Sequence, residues 1–140
     1  MYGAKCLEFF NGQFAFCIWN KKKKEFFLAR DRVGIRPLFY WAQNNAFAFC
    51  SEIKGLFTLN QVQRSINAES LAQIFTYWTT ISPNTPFDKI YELPPGHYMH
   101  VSESKIEIEK YWSLGFSSNN IDAARDLTDT VDEFAVLLKD

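Results

Sequence analysis

Residues 28–41, LARDRVGIRPLFYW, decide how this chain folds. Three arginines and an aspartate stand within the seven residues from Arg30 to Arg36, between two runs of aromatic and aliphatic side chains. Such a stretch is either a solvated turn or a structured joint, and its flanks bear on the choice. Upstream, FAFCIW (14–19) leads through NKKKK into EFFLARD (25–31); downstream, LFYW (38–41) leads through AQNN into AFAFC (46–50). Aromatic and β-branched runs separated by turn formers predict strands, here a four-stranded antiparallel meander. Successive side chains of a strand point to opposite faces. Phe14, Phe16 and Ile18 therefore share one face and Ala15, Cys17 and Trp19 the other, so this strand should be covered on both sides. Ala46, Ala48 and Cys50 form a face of small residues that a further layer can approach closely. A multilayer fold follows.

The whole chain permits this. Its 140 residues suit one ordinary domain, and 47% hydrophobic against 22% charged residues fits a globular protein. With 17% aromatic residues, much of the core must be ring packing. A net charge of −1 gives no overall attraction to nucleic acid or to anionic membranes. Lys21–Lys24 reads as a solvated hairpin tip, since no other basic cluster accompanies it. No apolar run approaches the roughly 20 residues that span a bilayer. MYGAKCLEFF lacks the charged-then-apolar pattern of a secretory leader, so a cytoplasmic location is expected. Cys6, Cys17 and Cys50 show neither CxxC nor zinc-ligand spacing; Cys17 and Cys50 read as small buried hydrophobes.

Beyond the meander, SEIKGLF (51–57) predicts a short helix and NAESLAQIFTYW (67–78) a firmer one. Asn67 can cap it, Glu69 suits its positive end, and Leu71, Ile74, Phe75 and Trp78 form an apolar stripe. ISPNTP (81–86) is a turn-rich connector, and Pro94, Pro95 and Gly96 precede a strand over 97–101. That strand puts His97 and His100 on opposite phases, and neither forms a Cys–His pair by sequence; each reads as a satisfied or exposed histidine. KIEIEKYW (105–112) alternates as a strand with one wet face. Residues 113–122 turn small and polar, as a linker does, and 126–140 are amphipathic through Leu127, Val131, Phe134 and Leu138. A helix of about four turns is marginal alone in water, so the tail needs a partner.

The segments NGQFAFCIWN, FFLARDRVGIRPLFYW, FCSEIKGL, YELPPGHYM and IEIEKYW, in this order, resemble the glutamine-hydrolysing asparagine synthetases. They are similar to the later part of that family's class II glutamine amidotransferase domain. The resemblance implies an α+β fold: part of a stacked antiparallel β-sheet sandwich of the N-terminal-nucleophile type, with flanking helices. It divides the chain into a partial amidotransferase domain over 1–112, a linker over 113–125, and the first helix of a truncated ATP-using synthetase domain over 126–140. The implied parent reaction activates aspartate with ATP and Mg²⁺ as an aspartyl-adenylate, which is then attacked by ammonia released from glutamine.

The same resemblance implies an inactive fragment. The family's glutaminase nucleophile is a cysteine at the very N-terminus, with its own α-amine as base. Residue 2 is Tyr2, and Cys6 stands four residues too late. The family's glutamine-gripping arginine and Asn-Gly oxyanion segment would precede these residues, and its Ser-Gly-Gly-x-Asp-Ser pyrophosphate loop would follow them. No catalytic, cofactor-binding or metal-binding residue carries over, and ATP and Mg²⁺ belong to the intact enzyme. Arg30, Asp31, Gly34, Ile35, Arg36 and Pro37 match the family's turn, and Ser51 and Glu52 its Ser-Glu pair, as structural groups at a domain interface. Glu52 is the expected acceptor for Arg30 or Arg36, because buried guanidinium groups need bidentate partners. The implied partners are the missing remainder of the two domains or a full-length relative, with glutamine and aspartate as the parent enzyme's substrates, and neither nucleic acid nor membrane. The alternative is a non-catalytic module that docks to a full-length amidotransferase.

Overall fold

The computed structural model describes residues 2–115 and 126–139. A 3-10 helix over Gly3–Phe9 leads into β1 (Ala15–Asn20) and β2 (Glu25–Arg30), then β3 (Phe39–Gln43) and β4 (Ala46–Cys50). The short α1 (Ile53–Leu56) and longer α2 (Ala68–Tyr77) follow, then β5 (Ile90–Glu92), β6 (His97–Val101), β7 (Ile106–Lys110) and α3 (Leu127–Leu137). The predicted fold class stands: antiparallel sheets with flanking helices, as in part of an N-terminal-nucleophile sandwich.

The meander does not stand. All four predicted strands exist, but they belong to two sheets, with orders β1-β2-β6-β7 and β4-β3-β5. β2 pairs with β6, not with β3; Leu28 faces Met99 and Phe26 faces Val101. Residues 31–38 carry the chain from one sheet to the other. Alternation along a strand reports its two faces but not its neighbour, so the sequence pattern fitted either pairing.

The sheets meet through a core of Leu28, Met99 and Val101 from one and Leu38 and Leu93 at the other, with Cys17, Phe26, Tyr40 and Phe47 packed against it. Phe26 lies 5.9 Å from both Phe47 and Phe49, ring to ring, so β4 stacks over β2. A second cluster covers the other face of β3, where Trp41 and Ile90 meet Leu56 and Val62. Ala48 and Cys50 belong to it, as the small-residue face foretold, and any side chain at Gly55 would collide with Cys50 Sγ.

Cover is less complete than expected elsewhere. Ile18 and Trp19 are exposed at the far end of β1, and Ile106 and Ile108 on β7 are both about two-fifths exposed. The predicted dry face of β7 is therefore only partly covered, with Ile106 opening onto a depression it shares with Gln43, Ala46 and Phe47. Lys21–Lys24 form the exposed β1–β2 turn, where Asn20 Oδ1 accepts from the Lys22 and Lys23 backbone N–H groups. α2 starts as predicted, with Asn67 Oδ1 accepting from Ser70 N at 2.8 Å. α3 matches its predicted span, capped by Asp126, and its described side chains are all exposed. The predicted linker falls largely on residues 116–125, outside the described residues. Among the described residues no helix is long and apolar enough to cross a membrane.

Candidate functional site

The link between the sheets is built by two buried charges. Arg30 ends β2 and Asp31 begins the link; they are 6% and 1% exposed. A buried ion is costly unless hydrogen bonds and counter-charge replace its hydration. Arg30 receives that replacement. Its Nε donates to Arg36 O (2.9 Å), Nη1 to Leu93 O (2.7 Å) and Nη2 to Gly34 O (2.9 Å), while Nη1 lies 3.1 Å from Glu92 Oε2. One planar guanidinium thus ties the link to the segment that leaves β5.

Asp31 does the complementary work on backbone donors. Oδ2 accepts from Arg36 N (2.9 Å) and Phe14 N (3.3 Å), and Oδ1 from Ile35 N (3.0 Å). Burial pushes the Asp31 carboxyl pKa up, but the backbone N–H bonds from Arg36, Ile35, Phe14 and Gly34 outweigh it and hold the pKa below the usual carboxylate value. Its backbone is tied as well: N to Phe14 O (2.8 Å), and O to Gly34 N (3.2 Å) and Gly96 N (2.9 Å). The first strand, the link and the entry to β6 converge on this one residue.

Two glycines make the convergence possible. Gly34 has φ +72°, and a Cβ there would lie 2.7 Å from Pro95 Cγ and 3.2 Å from the Arg30 guanidinium carbon. Gly96 has φ +66°, and its Cβ would lie 2.6 Å from Trp112 O. Gly96 O in turn accepts from the N–H groups of Tyr111 and Trp112, and Tyr111 Oη donates to Arg30 O at 2.8 Å.

The structure therefore brings together Arg30, Asp31, Gly34, Ile35 and Arg36 of the predicted set. Ile35 and Arg36 contribute their backbone groups while their side chains are exposed. Pro37 and Ser51 line an open depression of about 450 Å³ with Gln13, Phe14, Ala15 and Arg36. Glu52 takes no part. It pairs with Lys54 at the surface, and Glu92 is the acceptor of Arg30 instead. The choice of Glu52 fails because it sits at the start of α1 and points to solvent. Glu92 lies in YELPPGHY, a segment already conspicuous in the sequence, but only the β3–β5 pairing (Phe39 opposite Glu92) brings it to Arg30. Glu52→Gln should accordingly change stability by less than about 0.5 kcal/mol in urea unfolding, as surface changes usually do.

This arrangement orders the chain and offers no acid–base chemistry. The guanidinium spends its donors on fixed acceptors, and a carboxyl with a lowered pKa is a poor proton acceptor near neutral pH. Burial pushes the Cys17 thiol pKa up, the reverse of what activation requires. Cys17 lies opposite Leu28, and Leu28 opposite Met99, so β2 separates it from both histidines by about 9–10 Å of sheet. His97 Nδ1 is bound to Pro95 O at 2.7 Å, while His100 stacks on Phe27 on the outer face. Among the described residues no cluster of His, Cys, Asp and Glu could hold a metal ion.

Comparison with known proteins accords with this geometry. Residues 1–112 match the model of a glutamine amidotransferase domain. Asparagine synthetase (glutamine-hydrolyzing) 3 of Bacillus subtilis is 34% identical over 110 residues, covering 78% of this chain and 18% of that protein. Asparagine synthetase (glutamine-hydrolyzing) 2 of the same organism is 37% identical over 110 residues, 74% of this chain and 15% of its own length. The amidase chry2 of Gibberella zeae is 28% identical over 120 residues, 82% of this chain and 17% of its own. The matched region is thus less than a fifth of each of these relatives.

Proposed function

Because this chain belongs to the glutamine amidotransferase domain family, we propose that it supplies the joint-bearing part of the amidotransferase region of a glutamine-hydrolysing asparagine synthetase. The observation that carries this reading is the Arg30–Asp31 joint, which holds two stacked sheets in register inside the matched segment. In this role the residues are scaffold, and the parent enzyme's ATP, Mg²⁺, aspartate and glutamine are handled by groups outside these 140 residues. Its partner is the remainder of that enzyme, and its place is the cytoplasm. Edge strands β1 and β4 and the aromatic outer face of β1, β2 and β6 are the surfaces available to that remainder, since unpaired strand edges recruit further strands.

By itself the chain hydrolyses no glutamine: residue 2 is Tyr2 where the family has its nucleophile, and the Cys17 thiol is shifted away from the thiolate and lies two strands from both histidines. The test is glutamate release from glutamine by the purified 140-residue chain, with a Cys6→Ser, Cys17→Ser, Cys50→Ser triple variant as control. We expect both proteins to match the protein-free blank. Glutamate release that disappears in the triple variant would overturn the reading.

A further inference from the structure

A wide depression of about 630 Å³ opens where β3 outruns its neighbour. β5 begins at Ile90, opposite Trp41. Gln43, two residues further along β3 and on the same face as Trp41, therefore stands beyond the last paired position. Asn44 of the following turn, Gln61 and Gln63 from the segment between α1 and α2, and Asp88 and Lys89 before β5 extend the wall. Among the described residues the four side-chain amides have no hydrogen-bond partner. Each carries a carbonyl acceptor and two N–H donors.

Trp41 adds an independent sign. It is 3% exposed, and the surface it retains lines this depression. Its indole N–H meets no acceptor among the described residues, although a buried indole usually finds one. Nor is that N–H sealed inside the fold, so its acceptor comes from whatever fills the depression. Asp88 is held in the wall as a fixed acceptor. Its Oδ2 accepts from Ser65 Oγ (2.7 Å) and its Oδ1 from Asn67 Nδ2 (3.1 Å), which leaves lone pairs free on both oxygens. The same Asn67 caps α2, so the wall is anchored to a helix. Lys89 is kept at φ +63°, an uncommon conformation for its side chain, and such strain gathers at ligand-holding sites.

We propose that this depression binds a neutral glycan the size of a disaccharide. A hydroxyl both donates and accepts, as an amide does, so neighbouring sugar hydroxyls can pair with the amide edges in either sense. Trp41, which only donates, and Asp88, which only accepts, then fix the orientation. Charge argues against a phosphorylated ligand, because Lys89 is the sole cation among the described lining residues and Asp88 beside it cancels it. An apolar ligand would strand the amides, at a cost for each one. Size argues against a free amino acid. At about 30 Å³ for each water-sized unit, 630 Å³ takes about twenty non-hydrogen atoms. That is about twice what asparagine offers and close to a disaccharide.

NMR titration of the ¹⁵N-labelled 140-residue chain tests this, with maltose, cellobiose and lactose as probes. The readout is the Trp41 indole signal, assigned through Trp41→Phe. At least one of these sugars should shift that signal saturably, with a dissociation constant of about 1 mM or tighter. Gln61→Leu/Gln63→Leu alters two exposed side chains, so the rest of its spectrum should match the parent. It should bind the same sugar at least about tenfold more weakly, because two hydrogen bonds are lost. No shift with any of the sugars overturns the proposal. So does binding that the double variant leaves unchanged, which would place the sugar elsewhere on the chain. A shift produced by asparagine or ADP, but by none of the sugars, would assign the depression to an amino acid or a nucleotide and overturn it as well.

Discussion

Asp31→Ala should unfold the joint, with a loss of about 3–5 kcal/mol in urea or thermal unfolding. The carboxylate accepts from the backbone N–H groups of Phe14, Ile35 and Arg36 and is 1% exposed. Alanine leaves those donors facing a space too enclosed to hydrate fully, and each stranded donor costs about 1–3 kcal/mol. Domains of this size hold only about 5–15 kcal/mol in total, so the variant should be largely unfolded at 37 °C. Asp31→Asn keeps the shape and one acceptor oxygen but loses the charge, and it should fall between the two. Acid should act on the same group. The folded pKa of Asp31 is lowered, so its contribution is complete above the unfolded carboxyl value near 4 and disappears as the pH falls through the lower folded value. Stability of the parent chain should therefore drop below about pH 4 more steeply than that of Asp31→Asn.

Arg30→Met should cost about 3–4 kcal/mol for a different reason. The methionine fills much of the volume, but the carbonyls of Arg36, Leu93 and Gly34 lose their donor and Glu92 is left as an unpaired, partly buried carboxylate. Arg30→Lys should recover less than half of that loss. A single ammonium cannot reproduce three donors in the fixed plane of a guanidinium. The companion variant Glu92→Gln should cost less than Arg30→Met, because the guanidinium keeps its three carbonyl acceptors. A double-mutant cycle between the two positions reads the Arg30–Glu92 term alone.

Much of this was legible in the residues, and the misses follow a rule. The alternating and aromatic runs located β1 to β4, β6 and β7, and Asn67 with Glu69 located the start of α2, because strand faces and helix caps are local physics. The pairing of β2 with β6 was not legible, since Phe26 and Leu28 would fill a core equally well against β3. Nor was β5, whose three residues Ile90–Glu92 are too short to show a period. The same long-range pairing hid Glu92 as the partner of Arg30. Periodicity in α2 correctly gave an amphipathic helix, but it carries no information on what meets the stripe, and Phe75 and Trp78 stay exposed among the described residues. Composition left the arginine-rich stretch ambiguous between turn and joint; the family resemblance read it as a joint, and Asp31 lies buried within it.

That distinction is open to one direct measurement, amide hydrogen exchange at Ile35 and Arg36. Both residues are exposed and lie outside any strand or helix, so a solvated turn would leave their amides exchanging within seconds. In a joint closed by Asp31, both amides are bound inside the fold, at 3.0 Å and 2.9 Å. The account predicts protection matching that of Leu28 and Met99 in the central strands. Exchange at Ile35 and Arg36 as fast as at the Lys22 and Lys23 hairpin tip would contradict it.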